Sequence, residues 1–501
     1  MSTIRKQSIY SSLFTYAGFA IGAFNILYLY PTFFTPEQFG LTRIIGDIAL
    51  IFSTICTAGV LPITFKFSPY YQQHVPKEKN DLMALVLLFI VFTCSILYLL
   101  FPYIQPWAIR KFGRKSPDLV NYFYLVYPIT VSIVLFSILE SFTWIIKKTI
   151  ISNFAKEFLQ RLLITILIAL WAFGMITQFE VFVSLYAYLF FASSIVLIVI
   201  IYRSKVFAIH LKPSSLTKKL GPIMLRFGSA YFLSAILNVI AKTNDTLIIA
   251  SQSSGGLVDA AIFTIATYMI TIMDVPQRSM ISAATPQIAL AWKDNDIAKL
   301  DRLYKKTALN LLIIASGIMG VIIINTPLLL HLLGPTYKLL PTLMLVMGVS
   351  KLIDLGTGLN SQILQLSKHW KIDLFTNMFF VVVSIILNYY LTRTYGIIGT
   401  AFGGLIAIVC FNLIRFIYIK NIYALQPFSW KNAIAISIAT LFTAVIFFIP
   451  LFHHVWIDSI LKSIAFILLF GISILKMNIS QDITDLYRAL IQKMLTIRSR
   501  D

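Results

Sequence analysis

Nine ionisable side chains carry the chemistry that this sequence can offer, because each sits inside an apolar run. Arg43 and Asp47, Lys242 and Asp245, and Lys351 and Asp354 are pairs about one helical turn apart, and Arg226, Asp274 and Arg278 complete the set. A charge at the centre of a bilayer costs from about 3 kcal/mol upward, so such residues face a protein interior or a water-filled path. Arginine forks pair with phosphate oxygens and lysine acts as a point charge. Arg43, Lys242, Arg226, Arg278 and Lys351 are therefore candidate anion-binding groups at successive depths. Asp47, Asp245, Asp274 and Asp354 would hold those cations in the absence of substrate, or exchange a proton. Any single acid–base pair reads more simply as a lock between two helices. The whole set does not, because a protein needs few locks at such a cost. Arg43, Asp47, Lys242 and Asp245 are expected towards the outer side, Arg226, Asp274 and Arg278 towards the inner side, and Lys351 and Asp354 near mid-span.

Catalysis finds no support. The sequence lacks a glycine-rich phosphate loop with its lysine, an H-E-x-x-H helix and a nucleophile elbow. His74, His210, His331, His369, His453 and His454 map to loops or span edges. Cys56, Cys94 and Cys410 each fall in an apolar run without metal-type spacing, so neither a metal nor a disulfide is expected. Glu140, Lys156, Glu157 and Arg161 lie close to the inner interface, where snorkelling accounts for them.

The elements that position these charges are membrane spans. With 58% hydrophobic and only 12% charged residues over 501 positions, and a mean hydropathy of +0.84, an ordinary soluble domain is excluded. Apolar runs of spanning length cover residues 11–30, 41–61, 82–101, 119–144, 154–173 and 181–202 in the first half. In the second half they cover 223–250, 257–280, 308–330, 340–361, 372–391 and 397–419, with 433–451 and 455–474 closing the series. Lipid leaves helix as the only plausible element, since the runs lack the alternation of barrel strands. The expectation is an all-α integral membrane protein of about fourteen helices.

The net charge of +21 sits in loops between spans, which points to anionic lipid and away from nucleic acid. With the N-terminus inside, Lys66, Lys77, Lys79, Lys147, Lys148, Lys293, Lys305, Lys306, Lys368, Lys371, Lys420 and Lys431 all fall in inside loops, so both termini are expected in the cytoplasm. The connector residues Arg203, Lys205, Lys212, Lys218 and Lys219 agree. One loop disagrees: residues 109–117 should lie outside, yet hold Arg110, Lys111, Arg114 and Lys115. Each sixth span runs into an L-x-P-x-S pattern, at Leu211–Ser215 and Leu425–Ser429, and prolines recur near the ends of corresponding spans. Six helices in the same order twice imply parallel repeats around a central cavity. The expected division is a first lobe over 1–210, a basic connector over 211–221, a second lobe over 222–425, two further spans over 426–475 and a cytoplasmic amphipathic tail over 476–501. In that tail Ile479, Ile483, Leu486, Leu490 and Met494 oppose Lys493, Arg498 and Arg500. Pro128 and Pro276 are expected inside spans as bending points, and Gly18, Gly22, Gly399 and Gly403 at close helix contacts.

Longer patterns resemble a known family. LLGPTYKLLPTLMLVMGVSKLIDLGTGLNSQILQLSKHW and NYYLTRTYGIIGTAFGGLIAIVCFNLIRFIYI look like the polysaccharide transport branch of the multidrug/oligosaccharidyl-lipid/polysaccharide (MOP) flippase superfamily, the O-antigen and capsule flippases. TPEQFGLTRIIGDIAL and KTNDTLIIASQSSGGLVDAAIFTIA resemble its patterns in the two lobes. The resemblance implies two six-helix lobes that rock about a central cavity and move undecaprenyl-diphosphate-linked oligosaccharides to the outer leaflet of a bacterial cytoplasmic membrane. It implies that cavity cations meet the diphosphate and sugars, and that a proton or sodium gradient drives some members. No cofactor is implied. The lipid-linked oligosaccharide and membrane lipids are the expected partners, with the chain a monomer and polysaccharide assembly proteins as candidate associates. Arg43 and Asp245 match the pattern best. Lipid II exporters carry several arginines in their first span, whereas this one has none after Arg5, which argues against a peptidoglycan precursor. A drug/cation antiporter of the same superfamily is the nearest alternative, and a membrane saccharide polymerase or ligase is the alternative from another class.

Overall fold

The computed structural model describes residues 3–204, 210–449, 454–485, 487–488 and 492, and all regular structure within them is helical. Two compact units divide the chain, Met1–Thr264 and Ile265–Asp501.

In the first unit, α1 (Thr3–Phe24) runs into a π-helical turn at Asn25–Leu29 and is followed by α2 (Pro36–Thr57) and α3 (Val60–His74). The TPEQ sequence starts α2 by a reciprocal cap: Gln38 N–H donates to Thr35 Oγ1 at 3.3 Å, and Thr35 N–H to Gln38 Oε1 at 3.0 Å, with Pro36 at the first position. The break between α2 and α3 is made by Ala58 and Gly59, both with positive φ. Gly59 also lies against the backbone of Gly228, so a side chain there would meet strain and collision together. α4 (Leu82–Phe112), α5 (Val126–Ile145), α6 (Gln160–Ala172), α7 (Phe179–Ser204), α8 (Ser215–Gln252) and α9 (Gly256–Thr271) complete the run, the last passing into the second unit. Cys56, Phe67, Tyr71, Val86, Phe142 and Leu197 belong to the core of the first unit. The start of α8 is tied to it by Asp81, whose Oδ2 accepts from Thr217 Oγ1 at 2.6 Å and from Ser214 N–H at 2.8 Å.

The second unit holds α10 (Asp274–Lys293), α11 (Ile297–Ile324), α12 (Leu340–Gly356), α13 (Trp370–Tyr423), α14 (Trp430–Phe448) and α15 (Val455–Lys476). α11, α14 and α15 pack around Ile313, Ala439, Phe466 and Phe470. The second L-x-P-x-S pattern ends in Ser429, which precedes α14 and donates its N–H to Asn432 Oδ1 at 3.1 Å. In the first pattern the capping residue is Ser214, one position earlier, so the two starts share composition and not register. α13 is 54 residues long and is interrupted by Gly396 at φ 61°, ψ −147°, a conformation open to glycine almost alone.

Among the described residues eleven helices are long and apolar enough to span a bilayer, and α9 with α10 makes a twelfth, bent pair. Counting α13 as two spans about Gly396, and the run from Phe154 to Ala172 as another, gives the expected fourteen. Four details differ from expectation. The span expected over 257–280 breaks by 44° between α9 and α10. Pro128 sits in the first turn of α5, where a missing N–H costs nothing, so it does not kink that helix from within, whereas Pro276 lies just after the bend between α9 and α10, where a bending point was expected. Where the third span was expected to end, α4 runs on through Pro102 and Pro106, and Arg110 and Lys111 form its last turn, where the helix dipole favours cations. The tail's Ile479 and Ile483 belong to the core of the second unit; Leu486, Leu490, Lys493, Met494, Arg498 and Arg500, like Lys205 of the connector, lie outside the described residues.

Candidate functional site

The first unit gathers its charge around Asp47 of α2. Arg43, one turn earlier, donates Nε to Asp47 Oδ2 at 3.0 Å, and Thr246 of α8 donates its hydroxyl to the same oxygen at 2.6 Å. Asp47 is buried, while the Arg43 side chain keeps 40% of its surface exposed. The carboxylate is thus held from two helices. One guanidinium face remains open to a ligand.

Along α8 the pattern is different. Arg226, Ser234, Asn238 and Lys242 are all exposed; Ser234, Asn238 and Lys242 follow at successive turns as a polar stripe, and Arg226, sixteen residues before Lys242, is turned about 160° from it on the helix. Sixteen residues of helix place the two cations about 24 Å apart along its axis, most of a bilayer's hydrocarbon thickness. Among the described residues no acid lies within ion-pair distance of Arg226 or Lys242, and Asp245 is half-buried. Hydrocarbon does not accommodate a stripe of this kind, so it must face water or polar groups.

In the second unit the break between α9 and α10 starts a helix at Asp274. Lys351 of α12 reaches Asp274 Oδ1 at 2.5 Å and Asp354 Oδ2 at 3.1 Å. Asp274 and Lys351, expected at different depths, therefore lie side by side. Asn412 of α13 donates to Asp354 Oδ1 at 3.4 Å, and its Oδ1 accepts from Thr357 and Asn360, each at 2.8 Å. Behind this layer Arg415 is paired with Asp373 and donates Nε to Thr376 Oγ1 at 2.9 Å, with its guanidinium 3.9 Å from the Phe411 ring centre. Arg278, one turn after Asp274, is exposed, and among the described residues has no acid within ion-pair distance.

The nine residues thus divide into one pair, one triad, the half-buried Asp245 and three open cations. Thr246, Asn412, Asn360, Asp373 and Arg415 were not anticipated from sequence. Arg415 stands out as a charge in the apolar run 397–419, but its acid lies 42 residues earlier. Among the described residues no group of three or more His, Cys, Asp or Glu could hold a metal ion.

No protein-family model matches the chain, and no curated relative matches it in sequence. Its backbone is similar to that of the lipid II flippase MurJ in an inward closed conformation, at 17% identity and a TM-score of 0.70, covering 96% of this chain and 100% of that one. It is also similar to an inward-facing multidrug resistance MATE family transporter of the MOP superfamily, at 18% identity and a TM-score of 0.62, covering 81% and 94%. The chain has the fold that these two structures share. Both similar structures are transporters, and at these identities the likeness concerns architecture.

Proposed function

We propose that this protein is a flippase that carries an undecaprenyl-diphosphate-linked oligosaccharide across a bacterial cytoplasmic membrane by alternating access. The observation that carries the reading is the pair of open cations on α8, Arg226 and Lys242, in the first unit; Arg278 on α10 of the second unit is a third open cation. Open cations with, among the described residues, no acid within ion-pair distance suit a diphosphate that must exchange partners as it crosses. A carrier of organic cations would need the opposite balance. Arg43 supplies a further contact, half-neutralised by Asp47, and Asp245 lies within one turn of Lys242. Around Lys351 two carboxylates face one ammonium, which leaves a negative charge suited to a coupling proton or sodium ion. The proposal places both termini in the cytoplasm and the protein as a monomer that works beside polysaccharide assembly proteins.

Depletion of the protein in its native host tests this directly. Lipid-linked oligosaccharide should accumulate on the inner leaflet, while organic-cation efflux stays unchanged. Undiminished export under depletion, or loss of cation efflux alone, would remove the proposal.

A further inference from the structure

At the start of α11, Arg302, Lys305 and Lys306 line a cavity of about 610 Å³ together with Lys431 of α14 and the segment 479–482. Two of these cations are already held: Lys305 on Asp301 and Lys306 on Asp482, both at 2.6 Å. Arg302 and Lys431 are exposed and, among the described residues, have no acid within ion-pair distance. Four cations against two acids leave the cavity with two positive charges. Its wall is fixed, because Asn310 donates to Asp482 at 2.8 Å and accepts from Ser480 at 2.6 Å.

The same elements continue into hydrocarbon. One turn beyond Asn310, α11 lines an apolar groove of about 860 Å³ with Ile314 and Ile318; Ile483 follows Asp482 into it, and α15 adds Phe470 and Gly471. Trp430 beside Lys431 is 80% exposed, as expected of a tryptophan at headgroup level. A dicationic pocket followed along the same helix by an apolar groove matches an anionic amphiphile: phosphate at one end, acyl chain at the other.

We propose that this is a binding site for an anionic glycerophospholipid of the surrounding leaflet, with its phosphate between Arg302 and Lys431 and one acyl chain in the groove. Nothing in it depends on what the protein transports. All its residues lie in the second unit and none belongs to the charge clusters described above.

Native mass spectrometry of the full-length protein, titrated with phosphatidylglycerol or phosphatidylethanolamine, tests the site. One phosphatidylglycerol should be retained at least tenfold more tightly than phosphatidylethanolamine. Each cation near the headgroups contributes about fivefold, so Arg302→Ala with Lys431→Ala should weaken retention by roughly twenty-fold or more. Both side chains are exposed and their removal leaves the core intact. Gly471→Leu is an independent arm: a side chain there enters open space and would fill the groove, so it should weaken the diacyl lipid and spare a dihexanoyl analogue with the same head. Equal retention of the two lipids, or wild-type retention in both variants, overturns the proposal. So does displacement by inorganic phosphate, or preferential capture of a lipid-linked diphosphate saccharide, which would assign the pocket to substrate.

Discussion

Arg226 and Lys242 of the first unit and Arg415 of the second are all basic residues within apolar helices, yet their surroundings are opposite. Arg415 is 2% exposed, with Asp373, Thr376 and the Phe411 ring around its guanidinium. Arg226 and Lys242 are open, and among the described residues no acid lies within ion-pair distance of either. The same residue type therefore serves two ends. Where a neighbouring helix supplies a carboxylate and hydrogen bonds, the charge fastens helices together. Where it does not, the uncompensated charge is tolerable only beside water or a ligand, and that requirement points to transport. Lys351 stands between these extremes, about a fifth exposed and held by two acids.

The comparison breaks first at Arg415. Arg415→Ala leaves Asp373 buried and uncompensated, a change that costs about 3–5 kcal/mol, so thermal unfolding in detergent should begin far below that of the parent protein. Arg415→Met combined with Asp373→Leu should recover most of the loss; a single variant as stable as the parent would mean that the pair holds nothing. Next is Thr246→Val, which removes one of the two hydrogen bonds from Asp47. Hydrogen bonds to charged groups contribute about 1.5–3 kcal/mol, so a smaller but clear fall in unfolding temperature is expected. An unchanged temperature would leave Asp47 to Arg43 alone.

The open cations should behave in reverse. Arg226→Ala with Lys242→Ala is expected to change stability by no more than about 0.5 kcal/mol, as for other exposed substitutions. Flipping of a lipid-linked saccharide in proteoliposomes should fall at least tenfold, a loss of about 1.4 kcal/mol in transition-state stabilisation. Full flipping in that variant would assign these cations to solvation and detach function from them.

How far these features could be read in advance follows from where each partner lies along the chain. The fourteen spans were legible because hydropathy is a local property, and Arg43 with Asp47 because four residues on a helix are neighbours. The α8 pattern was half legible: its cations were visible, while Ser234 and Asn238 show their meaning only at four-residue spacing from Lys242. Asp373 with Arg415, Thr246 with Asp47 and Asp274 with Lys351 were not legible, since each joins helices 42 or more residues apart. The break before Asp274 was legible only through Pro276, because apolar residues continue across it and a window average cannot register a change of direction. The helix through Pro102 and Pro106 was missed for the converse reason: proline reads as a stop signal in water, but in a membrane helix the freed carbonyls find partners among neighbouring elements.

The smallest expected effect on stability is the one that most sharpens the division between fastening and working charges. Asp274→Asn removes the excess carboxylate around Lys351 and leaves the contact with Asp354 at 3.1 Å, a one-to-one pair that is about a fifth exposed. Its stability should change by less than about 1 kcal/mol, because an amide still offers Lys351 an acceptor and the remaining pair is neutral. If the excess charge is where a coupling ion binds, flipping by this variant should no longer respond when the proton or sodium gradient is collapsed, while the parent slows. Equal gradient dependence in the two proteins would place the coupling elsewhere, with Asp245 the next residue to change. A large fall in unfolding temperature instead would make Asp274 a fastening residue like Asp373, and would leave the open cations of α8 and α10 as the part of the set devoted to transport.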